Sequence, residues 1–245
     1  GQNFSKPFEV KFADKDNVEH FAWQTSWGVS WRLIGAMIMA HGDDKGLVLP
    51  PKVAPMQIVI VPIYRNEEGK NSVLPKVEEI QNKLESKDIR IHVDDREGLS
   101  PGYKFNDWEL KGVPLRIEIG PKDIENQKIV VAKRYNLEKI DLSFEEIEKI
   151  PLILDEIQVE MLKKAKEQAQ NNTLEITDYL EFKSKIEKGG FFNSPWCGKL
   201  ECEDKIKEET GAEIRVIPFN SEDNTKECIY CKEPSTSIPI FARGY

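Results

Sequence analysis

Four cysteines carry the chemistry that spacing defines most closely in this sequence. Cys197 and Cys202 have four residues between them, Cys228 and Cys231 have two, and the 245 residues contain no other cysteine. Paired spacings of this kind are typical of metal ligands, and four thiolates complete the tetrahedron of Zn²⁺ without leaving a position for water. A cytoplasmic chain also keeps its thiols reduced. We therefore predict a structural zinc on these cysteines; buried free thiols or two disulfides are the alternatives.

A second candidate for chemistry is Arg32, which follows a predicted strand at 20–27 and begins a predicted helix at 31–40. This helix is apolar on nearly every side, which is typical of a buried helix. A buried, unpaired guanidinium costs several kcal/mol, so Arg32 is expected to meet an anion. That anion is either a protein carboxylate or a phosphorylated ligand, and Trp27 and Trp31 offer flat surfaces for a ligand; Trp27 as a core residue is the alternative.

Common catalytic and nucleotide-binding motifs are absent. The sequence has no Gly-x-x-x-x-Gly-Lys-Ser/Thr loop, no Gly-x-Gly-x-x-Gly turn and no His-Glu-x-x-His pair. His20, His41 and His92 lie far in sequence from every cysteine, so a Cys/His nucleophile is possible only through tertiary contact.

Composition limits the partners that bulk charge can attract. The chain has 35 basic and 43 acidic residues and a formal net charge of −8, which argues against a protein that coats nucleic acid or a membrane surface. No apolar run approaches the roughly 18 residues of a membrane span. The first residues, GQNFSKPF, lack the apolar stretch of a signal peptide, so we expect a cytoplasmic protein.

Strands and helices alternate between residues 53 and 150. Four strands are predicted, over residues 57–63, 89–93, 115–119 and 129–132. A helix capped by Ser72 follows the first strand, and a second helix begins at Ser100 and ends at Gly112. This alternation predicts a mixed α/β sheet with helices on one or both faces.

Helices dominate the chain beyond this segment. Ser143 and Glu146 form a capping box for a long helix, which Pro151 is expected to break or kink before it continues to about residue 170. Two further helices and a strand are predicted, over residues 177–188, 202–210 and 213–219.

Two runs of sequence resemble a known family. They are residues 23–55, which begin WQTSWGVSWRL, and residues 94–123, DDREGLSPGYKFNDWELKGVPLRIEIGPKD. Both are similar to prolyl-tRNA synthetase of the archaeal and eukaryote-like type, a class II aminoacyl-tRNA synthetase, and the resemblance extends over the whole chain. It implies a cytoplasmic enzyme, homodimeric in its class, that activates proline with ATP and Mg²⁺ and transfers the prolyl group to tRNA(Pro).

The resemblance implies three parts. Residues 1–52 match the end of a class II catalytic domain with its third motif, 53–150 an α/β anticodon-binding domain with a mixed sheet, and 151–245 a small α+β zinc-binding domain. The first two class II motifs would precede the chain, so this polypeptide alone is expected to bind tRNA but not to activate proline. The alternatives are a stand-alone RNA-binding or regulatory paralogue without aminoacylation activity and a zinc-dependent scaffold without an RNA partner.

The resemblance also implies residues that bind ATP and proline, most of them in the N-terminal part of the chain. Arg32 matches the catalytic motif arginine that packs on the adenine and phosphate of ATP, and Trp27, Gly28 and Ser30 match positions that line the ATP and proline pocket. In similar enzymes the C-terminal tyrosine turns back toward the active site, so the carboxylate of Tyr245 is expected there.

In the anticodon domain the resemblance implies four contacts to RNA, from Phe105, Glu109, Arg116 and Lys122. An aromatic ring, a carboxylate and two cations suit unstacked bases and phosphates. Residues 101–135 carry seven basic and five acidic residues, the one basic segment identified in this acidic chain. The alternative is that Arg116 merely alternates with Glu118 on the solvent face of a strand. The resemblance also places zinc on the four cysteines.

Overall fold

In the computed structural model, which describes residues 1–222 and 225–244, the strands form three sheets. The first is a hairpin of β1 (Lys11–Ala13) and β2 (Glu19–Phe21), so the predicted strand at 20–27 is mostly irregular. Helix α1 (Arg32–His41) agrees with its predicted position but has no buried residue. The prediction that this helix is buried is therefore wrong for the described residues, because α5 contacts it at only a few residues and leaves most of its apolar side exposed.

The second sheet has five strands, in the order β4 (Ile91–Val93), β3 (Ile58–Pro62), β5 (Leu115–Ile119), β6 (Lys128–Lys133) and β7 (Lys139–Ser143). Strands β4, β3 and β5 are parallel, whereas β6 is antiparallel to β5 and β7 is antiparallel to β6. The predicted mixed sheet is confirmed, and the four predicted strands lie close to their predicted positions. Strand β7 is an addition to them.

Three helices connect these strands: α2 (Glu67–Glu85), α3 (Pro101–Leu110) and the short α4 (Pro121–Glu125). The Ser100 cap of α3 is confirmed, since its side chain accepts the N–H of Tyr103 at 3.3 Å. The Ser72 cap of α2 is wrong. Asn66 caps this helix by accepting the N–H of Gly69 at 2.9 Å, and a polar first turn precedes the apolar face on which the prediction relied.

Strand β3 is buried on both faces, and this decides where the helices lie. Ile58 and Ile60 belong to the larger apolar core, together with buried side chains of α2. Val59 and Val61 point to the opposite face and pack near Trp108 of α3. Because Arg116 of β5 is the register partner of Val59, Arg116 projects from the face that α3 covers.

The long C-terminal helix begins on the same core. A 3₁₀ turn (Glu145–Lys149) leads into α5 (Ile150–Asn171), and Pro151 lies in the first turn of α5, where it begins the helix and does not break it. Buried residues of α5 as far as Met161 belong to the core of the five-stranded sheet. The proposed boundary at 150/151 thus falls at the start of a helix that packs on the preceding sheet. No helix in the described ranges is long and apolar enough to cross a membrane.

The third sheet has the order β10 (Ala212–Val216), β11 (Ile240–Arg243), β9 (Phe191–Asn193) and β8 (Thr173–Glu175), with helices α6 (Tyr179–Ile186) and α7 (Leu200–Thr210). Its core centres on Phe182, whose ring centroid lies 5.7 Å from those of Phe192 and Phe241. Cysteines belong to the same apolar cluster. The C-terminal part of the chain therefore has a core of its own.

A short backbone contact joins the N-terminal segment to the end of α3. The N–H of Leu47 donates to the carbonyl of Leu110 at 3.0 Å, and the N–H of Leu49 donates to that of Gly112 at 3.2 Å. Gly112 has a φ of +71°, and a Cβ at this position would lie 2.5 Å from the Leu47 carbonyl oxygen. Both the backbone conformation and the close approach therefore require glycine.

Replacement of Gly112 by alanine is expected to lower the free energy of unfolding by about 1–3 kcal/mol, because the variant combines a left-handed backbone with this clash. Urea unfolding measures the change. Gly102 in α3 is the control, since an added Cβ there meets nothing within 4 Å. Gly102→Ala should stabilise the chain by about 0.5–1 kcal/mol. A Gly112→Ala variant that is as stable as the wild type would contradict the close contact.

Candidate functional site

A cluster of polar and aromatic side chains lies between α3 and the sheet. The guanidinium carbon of Arg116 is 4.2 Å from the ring centroid of Phe105, and Nη1 of Arg116 donates to the Phe105 carbonyl at 3.3 Å. Nε and Nη2 donate to Oε1 of Glu118 at 3.1 and 2.9 Å. The side chains of Arg116 and Glu118 are only 11% and 10% exposed, so the interpretation that they alternate on a solvent face is wrong.

Arg116 lines a cleft of about 220 Å³ beside this cluster. The charged lining residues are five cations and one carboxylate: Lys45, Arg116, Lys133, Arg134, Lys139 and Glu109. The carboxylate of Glu109 lies 3.9 Å from Nζ of Lys45. Four carboxylates pair with these five cations, namely Glu109, Asp43, Glu118 and Glu138, so the cleft has a net charge of +1 in a chain of net charge −8. Its donors suit a phosphate or the acceptor edge of a nucleobase.

Lys122 lies apart from the other three residues predicted to contact the anticodon. It is in α4 and lines a separate cleft of about 500 Å³ with Tyr64 and Arg65, next to the carboxyl ends of β3 and β5. The structure therefore puts Phe105, Glu109 and Arg116 at one site and Lys122 at another.

A buried carboxylate at the end of β4 was not predicted as a site residue. Asp94 is fully buried and accepts hydrogen bonds from Arg96, at 2.9 and 2.7 Å, and from Nε1 of Trp108, at 2.7 Å. Nζ of Lys104 donates to its backbone carbonyl at 2.9 Å. Burial opposes ionisation, but the hydrogen bonds from Arg96 and Trp108 and the charge of Lys104 hold the pKa of Asp94 well below its usual range.

The Asp94 network positions α3, and with it Phe105, against the sheet. A signal for it exists in the sequence, since the carboxylate directly follows an apolar strand while Lys104 and Trp108 lie one turn apart on the next helix. Recognising that signal requires knowing that α3 packs back over β4, which is a property of the tertiary fold.

A second ion pair ties the N-terminal segment to the cleft. Arg134 is 4% exposed, and its Nη1 and Nη2 donate to the Asp43 carboxylate at 2.7 and 2.6 Å, while Nε donates to the carbonyl of Glu109 at 2.9 Å. The hydrogen bonds from Arg134 lower the pKa of Asp43 from 3.8 to about 2, against the opposing effect of burial. One side chain therefore joins the segment after α1 to the end of α3.

The four cysteines form a cluster that can hold a metal ion. Their sulfur atoms all lie within 4.8 Å of one another, with Sγ of Cys197 3.6 Å from that of Cys202 and 3.7 Å from that of Cys231. Four sulfurs about 2.3 Å from a tetrahedral zinc are about 3.8 Å apart, so this geometry fits. No disulfide joins them. Burial raises the pKa of Cys197 and Cys202, and a bound cation would offset the cost of their thiolates.

Surrounding side chains fix the cysteine loop. Glu209 of α7 accepts hydrogen bonds from the hydroxyls of Tyr179 and Tyr230, at 3.1 and 3.2 Å, and pairs with Nζ of Lys183 at 2.9 Å. Tyr230 lies between Cys228 and Cys231 in sequence. This carboxylate therefore connects the cysteine loop to α6 and α7.

The residues predicted to line an ATP and proline pocket lie on an exposed stretch that ends at α1. Trp27 is 93% exposed, so its interpretation as a core residue is wrong for the described chain, and Gly28, Ser30 and Arg32 are exposed as well. Arg32 has no ion-pair partner within 1–222 and 225–244, so a structural salt bridge is not found either. Tyr245, whose carboxylate was expected near this stretch, lies outside the described residues.

Two family models match the chain. The anticodon binding domain matches residues 57–152, which include the five-stranded sheet and the cationic cleft. The C-terminal domain of prolyl-tRNA synthetase matches residues 179–245, which include the cysteine cluster. Together with the fold, these matches define the region of an aminoacyl-tRNA synthetase that contains its anticodon-binding domain.

Relatives specify the family further. A proline–tRNA ligase of Cenarchaeum symbiosum (strain A) is 54% identical over 247 residues, which cover 100% of this chain and 51% of that relative. One of Porphyromonas gingivalis (strain ATCC 33277) is 47% identical, with 100% and 50% covered. The crystal structure of prolyl-tRNA synthetase from Cryptosporidium parvum, complexed with L-proline and AMP, has a TM-score of 0.90, 38% identity and coverages of 100% and 52%.

The chain thus spans about half the length of the curated relatives it matches. Over its whole length it corresponds to the C-terminal region of prolyl-tRNA synthetases, so the resemblance predicted from the sequence is confirmed.

Replacement of Asp43 by asparagine should destabilise the chain by about 1 kcal/mol at pH 7, a value that allows for the partial exposure of this carboxylate. A carboxyl whose pKa is lowered on folding stabilises the protein above its unfolded pKa, and this contribution is lost as the pH falls from about 4 toward 2. Urea unfolding at several pH values measures the difference between wild type and variant.

The matched control is Asp141→Asn, which removes an exposed carboxylate paired with Lys128. The difference in free energy of unfolding between wild type and this control should stay small and nearly constant over the same pH range. The ion pair between Asp43 and Arg134 would be contradicted if wild type were no more stable than Asp43→Asn at pH 7. It would also be contradicted if the greater stability of wild type persisted undiminished near pH 2.

Proposed function

We propose that this chain is part of a proline–tRNA ligase, which activates proline with ATP and Mg²⁺ and transfers the prolyl group to tRNA(Pro). The observation that carries the proposal is the cationic cleft in a domain that matches an anticodon-binding family. The names of the relatives and the fold match over the whole chain support the choice of proline as the amino acid. In this proposal the chain recognises the tRNA and contributes part of the site for ATP and proline.

Recognition of the anticodon follows from the chemistry of the cleft. Arg116 presents a planar guanidinium that Glu118 and Phe105 hold in place, and such a plane can stack on an unpaired base. Glu109 at the rim can accept hydrogen bonds from the donor groups of a guanine edge. We also assign Lys122 to tRNA recognition, as a residue that contacts the RNA backbone from its separate cleft.

At the other end of the chain we assign Arg32 to the adenine and phosphates of ATP, with Trp27, Gly28 and Ser30 beside it. The exposed, unpaired guanidinium of Arg32 supports a ligand as its anion over a protein carboxylate. The exposed apolar side of α1 is consistent with a catalytic domain that extends beyond these residues. We also assign the carboxylate of Tyr245 to this end, as the family resemblance implies.

The metal in the cysteine cluster is proposed to be zinc with a structural role. Zinc would be held by Cys197, Cys202, Cys228 and Cys231, which leave no open position for substrate. It would connect the start of α7 to the loop at 228–231, in addition to the hydrogen bond between Tyr230 and Glu209. We further propose a cytoplasmic homodimer, with domain boundaries after residues 52 and 150.

Replacement of Arg116 by alanine should weaken binding of a tRNA(Pro) transcript by about 1–3 kcal/mol, because the stacking plane and its donors are lost together. The control is Arg215→Ala, which removes one exposed cation of the C-terminal sheet that pairs with Glu213. It should change the affinity by less than about 0.5 kcal/mol. Fluorescence anisotropy with labelled transcript measures both.

Equal affinity of wild type and Arg116→Ala would contradict anticodon recognition by this cleft. Absence of binding by the wild type itself would favour the zinc scaffold without an RNA partner. Protection of Arg32 by ATP from a guanidine-modifying reagent separates the two remaining functions. A stand-alone RNA-binding module predicts no protection, whereas the ligase predicts protection that proline strengthens.

Removal of zinc by a chelator should lower the melting temperature of the C-terminal unit, because three buried thiols and the half-buried thiol of Cys231 lose the cation that compensates their thiolates. Metal analysis should find about one zinc per chain before treatment. Cys202→Ser should reproduce the loss, and added Zn²⁺, but not Mg²⁺, should restore the chelated wild type. A chain that contains no zinc and melts at the same temperature with chelator would contradict the metal site.

A further inference from the structure

The register of the sheet places two cations on either side of an alanine. In the cross-strand row, Arg116 of β5 pairs with Ala132 of β6, and Ala132 pairs with Lys139 of β7. Side chains in such a row point to the same face of the sheet. Because alanine has no side chain beyond Cβ, it leaves a gap between the two cations, and Ala132 lines the cleft.

Glu118 connects these two cations beneath the cleft. Its residue is 8% exposed, and its Oε1 accepts from Nε and Nη2 of Arg116. Nζ of Lys139 lies 2.9 Å from Oε1 and 3.0 Å from Oε2 of the same carboxylate. Lys139 also lies 5.6 Å from the ring centroid of Phe105, on which Arg116 packs. One buried carboxylate thus holds both cations beside one aromatic ring.

Charge within this group is not balanced. Two cations share a single carboxylate, so the group of Arg116, Glu118 and Lys139 has a net charge of +1. The side chain of Lys139 is 50% exposed, whereas those of Arg116 and Glu118 are nearly buried. The uncompensated charge is therefore available at Lys139, in the cleft.

We propose that Lys139 is a further RNA-contacting residue and that Glu118 is the positioning residue that holds Lys139 and Arg116 on either side of Ala132. This inference rests on the proposed function. The ligand is an acceptor-bearing group of a nucleotide, either a phosphate or the acceptor edge of a base, since an ammonium group only donates. Glu118 itself touches no RNA; it sets the distance between the two donors.

The first test is Lys139→Ala, with binding measured for a tRNA(Pro) transcript and for the same transcript with its anticodon replaced. We expect the affinity for the first to fall about 5- to 50-fold. The matched control is Lys128→Ala, which removes a cation of the same sheet that pairs with Asp141 outside the cleft. It should change the affinity by less than about twofold, and Lys139→Arg should retain most of the binding.

The two sources of acceptor give different results. If Lys139 meets a phosphate, both transcripts lose affinity equally and the slope of log affinity against log salt falls by about 1. If Lys139 meets a base edge, the loss is larger for the transcript with the proline anticodon. Both results support the proposal.

The second test is Glu118→Gln, which keeps the shape of the side chain and removes its charge. We expect the ratio of affinities for the two transcripts to fall about fivefold or more, because the freed cations bind any RNA while their spacing is lost. Asp141→Asn makes the same change of charge on the same sheet and should leave the ratio unchanged. A purely structural role for Glu118 predicts a lower melting temperature with an unchanged ratio.

These outcomes separate the inference from the function on which it rests. A wild-type chain that binds both transcripts equally or not at all overturns the proposed function. A wild-type chain that prefers the proline anticodon, together with a Lys139→Ala variant that binds like Lys128→Ala, overturns only the inference. If Glu118→Gln does not fold, the comparison of Lys139→Ala with Lys128→Ala decides.

Discussion

The burial of β3 on both faces is the constraint on which the rest of the molecule depends. A strand of five buried residues must be covered on each side, and α2 and α3 supply that cover from opposite faces. One face is wholly apolar and continues into α5. The other face receives α3, whose buried residues are Lys104 and Trp108, and this face therefore contains the polar chemistry of the domain.

Paired charges on that second face hold α3 and Arg116 in position. Asp94 fixes the middle of α3 to the end of β4, Arg134 fixes its end to the segment around Asp43, and Glu118 fixes Arg116 beneath it. Breaking a buried pair leaves an uncompensated charge, so displacement is costly at Asp94 and Glu118 and less so at the partly exposed carboxylate of Asp43. The cleft owes its shape to these three carboxylates more than to the residues at its rim.

Local patterns in the sequence predicted local features well. The strands of the mixed sheet, the Ser100 cap and the grouping of the cysteines depend on neighbours in the sequence, and all three are present. The Ser72 cap was a local error, since Asn66 caps α2, but the other errors arose where an outcome depends on what lies nearby in space. The apolar pattern of α1 predicts burial, but burial needs a partner surface, and in the described residues α5 contacts α1 at only a few residues.

The candidate site also has features that the sequence predicts and features that depend on the tertiary fold. A residue type can suggest stacking or an ion pair, but only the register of β5, β6 and β7 reveals that Arg116 and Lys139 flank Ala132. Likewise, Lys122 is close to Arg116 in sequence, yet the strand between them carries it to a different cleft. The separation of two residues in the sequence therefore does not predict whether their side chains line the same cleft.

The Asp43–Arg134 pair also has a consequence for the order of folding. Its two residues are 91 positions apart, so the N-terminal segment emerges from the ribosome long before its partner exists. At about 5–20 residues per second, that interval is about 5–20 s. The backbone hydrogen bonds of Leu47 and Leu49 to Leu110 and Gly112 can form before then, so the segment is attached in two stages and the Asp43–Arg134 pair completes its attachment.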